Sequence, residues 1–145
     1  VMASLNKKGA EAMIAAGVHA ATDVTGFGLA GHLKEMIKEN VGVELWPSQI
    51  PRFDEAEALA AQGMMPGGLH RNREFYKEHV AGRTEGFVFD LLFDPQTSGC
   101  LLGAIGDKDM PQFQSRARES GLGYWVIGRF TDGHKGTIIL ADEPV

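Results

Sequence analysis

The order of apolar patterns along this chain predicts an α+β fold, a small mixed β-sheet covered by helices. Three observations carry that prediction. Apolar residues recur at helical spacing in some windows and alternate in others. The windows run helix, helix, strand, helix, strand, helix, strand, strand. Clusters of glycine, proline and aspartate separate them. A length of 145 residues suits one domain, residues 1–145, with a substantial core.

Taken in order, Leu5, Gly9, Ala12, Met13 and Ala16 repeat at helical spacing and Gly17 supplies a stop, which predicts a helix over residues 5–16. Val18-His19-Ala20-Ala21 is a short apolar run, read as a brief strand. Phe27, Ala30, Leu33, Met36 and Ile37 form the apolar stripe of a helix over residues 26–39. Val41, Val43 and Leu45 alternate, so residues 41–46 read as a strand that Pro47 ends. The alanine-rich residues 54–62 predict a helix with Asp54 as N-cap. Residues 63–86 are the least regular part, with a loop at Met65-Pro66-Gly67-Gly68 and a short helix over residues 72–79. Residues 88–93 read as a short helix, 94–99 as a turn and 100–105 as a buried strand. Met110, Phe113 and Ala117 mark a helix over residues 108–120, with Gly121 beyond its end. Residues 124–131 and 137–140 read as strands joined in a hairpin by a turn containing Asp132-Gly133.

Composition narrows the function classes. With 43% apolar and 23% charged residues the chain is ordinary for a globular protein. A formal net charge of −5 and scattered basic residues argue against a nucleic-acid binder, whose basic residues would form a stripe. The single cysteine, Cys100, excludes an internal disulfide and fits a reducing compartment, so a cytoplasmic location is expected. No apolar run is long enough to span a membrane, and no membrane partner is expected. The chain opens at Val1, without an initiator methionine and directly before a helical pattern, which suggests a fragment of a longer protein.

Thr22-Asp23-Val24-Thr25-Gly26-Phe27-Gly28 is the most informative segment. It sets one carboxylate in a glycine-rich turn before a helix, where the backbone can pass close to a ligand and N–H groups can face an anion. Asp23 therefore has two readings. It can ligate Mg²⁺, which uses one or two carboxylates and completes its shell with water and substrate phosphates. It can equally cap the helix. Thr25 stands nearer the helix start and could cap in its place. No second acid is near, so as a metal ligand Asp23 makes half of a site.

Asp94-Pro95-Gln96-Thr97-Ser98-Gly99 offers a carboxylate, two hydroxyls and a glycine, but it runs into a strand and reads as a structural turn in which Asp94 accepts hydrogen bonds from its own backbone. The histidines at 19, 32, 70, 79 and 134 show no zinc-ligand spacing, and His32 falls at the boundary of its helix's apolar stripe. Cys100 reads as a buried small hydrophobe. Arg71 and Arg73 read as exposed loop cations.

Residues 22–31 (TDVTGFGLAG) followed by His32-Leu33 closely resemble a signature of selenophosphate synthetase, or selenide, water dikinase. Residues 91–102 (LLFDPQTSGCLL) resemble a second signature of that family. So do Leu5-Asn6-Lys7, residues 65–74 (MPGGLHRNRE) and Val126-Ile127-Gly128. The resemblance covers almost the whole chain and matches only the C-terminal half of the enzyme. The wider superfamily includes aminoimidazole ribonucleotide synthetase, thiamine-monophosphate kinase and a hydrogenase maturation factor, whose glycine-rich sequences differ from these.

The resemblance implies conversion of ATP, selenide and water to selenophosphate, AMP and phosphate. It implies a single C-terminal domain whose partner is the N-terminal domain of the same polypeptide. That absent domain would supply the reactive Cys or selenocysteine, a catalytic lysine and most of the ATP site, so no catalytic residue is expected in this chain. It makes Asp23 a Mg²⁺ ligand, puts Thr22, Thr25 and Gly26 beside the nucleotide phosphates, and implies a homodimeric parent. A non-catalytic binding or dimerisation module that kept the fold, or a related ATP-dependent reaction, is the alternative. One departure stands out: the family carries a second glycine where this chain has Cys100. A Cβ there costs about 1 kcal/mol or more if the position needs a positive φ.

Overall fold

The computed structural model describes residues 5–37 and 40–142. Its elements are helices α1 (Lys7–Ala15), α2 (Gly28–Met36), α3 (Ala56–Ala61), α4 (Gly67–Tyr76), α5 (Phe87–Leu91) and α6 (Met110–Ser120), and strands β1 (Ala20–Asp23), β2 (Gly42–Leu45), β3 (Val80–Gly82), β4 (Leu101–Ala104), β5 (Gly128–Thr131) and β6 (Ile138–Leu140). The α+β class predicted from the sequence is the one observed. The strands form an antiparallel ribbon of β1 and β4 and a mixed four-stranded sheet in the order β3-β6-β2-β5.

Strand periodicity explains the sheet's covered face. Side chains alternate along a strand, so Val43 and Leu45 of β2 point one way, as do Ile138 and Leu140 of β6, and all four are buried. Leu33 of α2, Phe89 of α5 and the following Leu92 and Phe93 join them in the larger core. Phe89 and Phe93 meet edge to face with centroids 5.0 Å apart. On the other face Glu44 stands opposite Arg129 of β5, whose Nε donates to its carboxylate at 2.7 Å. A second, smaller core joins Ala12 and Ala16 with Phe113 and Ala117 of α6. Small residues there let α1 and α6 approach closely.

Several elements differ from expectation. The helix predicted over residues 26–39 begins two residues later; its predicted last two positions, 38 and 39, lie outside the described residues. Phe27, assigned to that helix's apolar stripe, is half exposed. Asp54 is not an N-cap: α3 begins at Ala56 after Glu55, with no side-chain cap. The short helix of residues 72–79 starts at Gly67 and ends as a 3₁₀ turn, Lys77–His79. Two glycines in its first turn lower helix propensity and hid that start. Strand β3, three residues long, is too short for its period to show.

The predicted hairpin is absent. β5 and β6 both lie against β2, the first antiparallel and the second parallel, so β2 separates them. Crossing one strand means bridging about 10 Å, within reach of the link 132–137. That link is pinned: Gly136 N donates to Val41 O at 2.8 Å and Lys34 Nζ donates to Gly136 O at 3.1 Å.

Ile138 is fully buried on β6, the strand that joins β3 to β2. Ile138→Ala is expected to lower unfolding free energy by about 2–5 kcal/mol in urea denaturation. Arg129→Ala, which removes a largely solvated pair, is expected to change it by less than about 1 kcal/mol.

Candidate functional site

The two glycine-rich segments meet. β1 and β4 pair with Asp23 opposite Leu101, and the ladder runs on into both loops. Val24 N donates to Cys100 O, Gly99 N to Val24 O and Gln96 N to Thr25 O, each at 3.0 Å. Thr25 O also accepts from Gly28 N at 3.0 Å. Val24 is buried, whereas Asp23 before it is exposed. The lock therefore turns the carboxylate outward at the end of β1.

Close approach requires the glycines. Gly28 has φ +70°, and a Cβ on it would lie 2.8 Å from Leu92 O. A Cβ on Gly99 would run into Val24 O. Cys100, in contrast, is exposed, which corrects its reading as a buried hydrophobe. His134 is the one non-glycine with positive φ among the described residues, so Cys100 carries no left-handed strain. Its main chain pairs with Val24, and its side chain projects from the surface.

Helix α4 clamps the joint. Asn72 Nδ2 donates to Gly26 O at 2.8 Å and to Phe93 O at 3.0 Å, one from each loop region. Arg73 does not lie in a loop; it pairs with Asp90 at 2.7 Å and lies 5.2 Å from the centroid of the Phe89 ring. It ties α4 to α5 and is not left free for phosphate. Arg71 is exposed on the same helix.

The start of α2 is only partly open to an anion. Gly28 N is taken by Thr25 O, and Ala30 N donates to Leu92 O at 2.8 Å. Two of the first N–H groups are thus satisfied by the chain's own carbonyls, contrary to the sequence expectation. Nor does Asp23 or Thr25 cap the helix: its N-cap is Phe27, with no side-chain cap bond among the described residues. Thr22 Oγ1 donates to Asp23 O at 3.2 Å, and Thr25 Oγ1 lies 3.1 Å from His32 Nε2. His32 is not a boundary residue but is buried, 7% exposed.

Asp23's carboxylate makes no hydrogen bond or ion pair with any described residue. No group of three or more His, Cys, Asp or Glu able to hold a metal occurs among the described residues. A free, outward carboxylate without acidic neighbours fits a cation shared with another body and does not fit a self-sufficient cage. Two shallow concavities, one lined by residues 82–86 and one by Val41 with residues 129–132, lie apart from these loops.

Asp94 braces the second loop. Burial holds its carboxyl above the ordinary 3.8, and the Gln96 side chain opposes that by donating to Oδ2 at 2.6 Å. The donor is a side-chain amide of its own turn and not the turn's backbone. The sequence pointed to Asp23, Thr22, Thr25 and Gly26, and the structure brings them to one edge. Asn72 and Gln96 were missed; Asn72's partners come from distant loops, and Gln96 braces Asp94 within its own turn.

A family model described as "AIR synthase related protein, C-terminal domain" matches residues 2–141. The chain is 40% identical to a protein named selenide, water dikinase from Carboxydothermus hydrogenoformans, over 97% of this chain and 41% of that protein. A protein of the same name from Citrifermentans bemidjiense is 43% identical over 88% of this chain and 37% of its own length. Selenide, water dikinase 2 from Peptoclostridium acidaminophilum is 38% identical over 97% of this chain and 41% of its own length. The chain therefore spans about two fifths of the length of these relatives. No helix among the described residues is long and apolar enough to cross a membrane.

Asn72→Asp replaces a donor to two carbonyls with an acceptor and is expected to destabilise the fold by about 1–3 kcal/mol in chemical denaturation. For Asp94 the raised folded-state pKa means the folded chain holds its proton more tightly than the unfolded chain. Its contribution to stability is complete below 3.8 and is lost as pH rises through the folded-state value. Asp94→Asn is expected to flatten that part of the pH–stability curve, measured as urea midpoints across the acid range.

Proposed function

Because the chain belongs to the family of AIR synthase related C-terminal domains, we propose that it is the C-terminal part of an ATP-dependent selenophosphate synthetase. The whole protein converts ATP, selenide and water to selenophosphate, AMP and phosphate. The observation that carries this reading is the uncommitted carboxylate of Asp23 at the edge of two interlocked loops, in a chain similar to proteins named selenide, water dikinase.

In this reading residues 1–145 form one domain, and the remaining ligands and the reacting groups come from the N-terminal domain of the same polypeptide. Asp23 would hold Mg²⁺ from one side, a role its exposure and freedom from other partners support. Mg²⁺, when bound, supplies charge neutralisation and in-line positioning of the polyphosphate. Thr22, Thr25 and Gly26 shape the wall that faces the triphosphate. The backbone lock keeps them from shifting as the nucleotide arrives, and rigid positioning matters most where chemistry depends on alignment. The chain alone is inactive, since one carboxylate does not organise Mg–ATP. A homodimeric, cytoplasmic parent completes the proposal.

The test is ³¹P NMR of the full-length protein with ATP, Mg²⁺ and selenide, native against Asp23→Ala. Selenophosphate and AMP from the native protein are expected, with a loss of at least about 100-fold in the folded variant. Undiminished turnover in the variant would remove Asp23 from the chemistry and leave this chain a binding or dimerisation module. A well-folded native protein that makes no selenophosphate would point to another reaction of the superfamily.

A further inference from the structure

His32 is the one buried polar or charged residue of the described chain, and its ring lies directly behind the Asp23 loop. Its two nitrogens face different groups. Nε2 lies 3.1 Å from Thr25 Oγ1. Nδ1 lies 3.3 Å from the Glu35 carboxylate, one turn along α2. That second contact is within ion-pair distance but outside hydrogen-bond geometry, and Nδ1 is buried without another partner. Glu35 also faces Tyr76, whose phenol is held above its ordinary pKa first by burial and then by that carboxylate. Phe27 packs on the ring with centroids 5.6 Å apart.

This arrangement selects a tautomer. A carboxylate offers only acceptor oxygens, so the ring nitrogen facing it is the one better protonated. A bare Nδ1 would turn a buried lone pair toward negative charge. In the neutral ring Nε2 is then the acceptor, and the only proton available between Nε2 and Thr25 is the hydroxyl's own. Thr25 donates inward. Its oxygen keeps lone pairs and has no proton left to give to a phosphate. Thr22 is committed similarly, since its hydroxyl donates to Asp23 O. Gly28 N and Ala30 N are also taken by carbonyls of the chain, which leaves fewer donors at this edge for a phosphate.

We infer that His32, oriented by Glu35, is a positioning residue that makes Thr25 an acceptor for the cation or its bound water, so that the Thr25 hydroxyl serves the metal and not the phosphate. This rests on the reading of Asp23 as a cation ligand given above. It reassigns Thr25 from the anion to the cation.

Two measurements on the full-length protein test it. The first is the two-bond ¹H–¹⁵N spectrum of ¹⁵N-histidine-labelled protein, read on the neutral ring and assigned with His32→Gln. A proton on Nδ1 is expected; a proton on Nε2 overturns the inference. The second compares Mn²⁺ alone with metal-free ADP as probes. Thr25→Val and His32→Leu are each expected to weaken Mn²⁺ by about tenfold or more, with no further loss in the double variant and metal-free ADP unchanged. Thr25→Ser, which keeps the hydroxyl, is expected to restore Mn²⁺ affinity. Loss of ADP affinity with Mn²⁺ intact would make Thr25 a phosphate donor, and equal loss of both would reduce His32 to a structural role; either result overturns the inference. An Nε2–H ring in a protein that still makes selenophosphate sinks this inference alone. The expected Mn²⁺ pattern without selenophosphate sinks the reaction assignment alone.

Discussion

The backbone lock between residues 24–25 and 96–100 is the constraint on which the functional edge depends. It extends the β1–β4 ladder past its regular end and satisfies amide and carbonyl groups that would otherwise need water. Each bond contributes only about 1 kcal/mol net, but leaving one broken and buried costs more. The lock spends the amide and carbonyl of Val24 and the carbonyl of Thr25 on the second loop and leaves the Asp23 carboxylate exposed at the end of β1.

The lock also joins the two cores. β4 lies between them: Leu102 packs against the larger cluster, and Ile105, just beyond the strand, packs against the α1–α6 cluster. Asn72 reaches both loop regions from α4, and Arg73 fastens α4 to α5. The Arg73–Asp90 pair is only partly shielded, so its own energy is modest. Its value is geometric, because it holds the helix from which Asn72 reaches the loops.

How much of this was legible in the sequence depended on range. Long periodic segments such as α1, α2 and α6 could be read from local spacing, and so could the mixed sheet as a class. The Asp23 edge could be read too, because glycines around a carboxylate demand an explanation beyond a cap. What failed depended on distant partners. Asp132-Gly133 has the composition of a hairpin turn, yet β2, some ninety residues earlier, lies between the strands it was expected to join. Cys100 looked buried because its neighbours are apolar, but the start of the strand turns it outward. His32 looked marginal because nothing local shows that Phe27, which packs on its ring, is itself met by Tyr76 from another helix. Local pattern cannot report which loop will cover a side chain.

The strand order has a temporal side. β3 has β6 as its neighbour in the sheet, and β6 is also the parallel partner of β2. Until residues 138–140 leave the ribosome, the larger sheet can hold only the β2–β5 pair, and β3 has no strand to dock on. Pairings of such long sequence separation are slow to form because the loop entropy is lost before the contacts are gained. The nascent chain must therefore carry unpaired edges on β2 and β3 until residues 138–140 emerge, a period in which edge-to-edge association with another chain competes with folding. A chaperone, or a neighbouring domain already folded, would act most usefully on this protein before its sixth strand emerges.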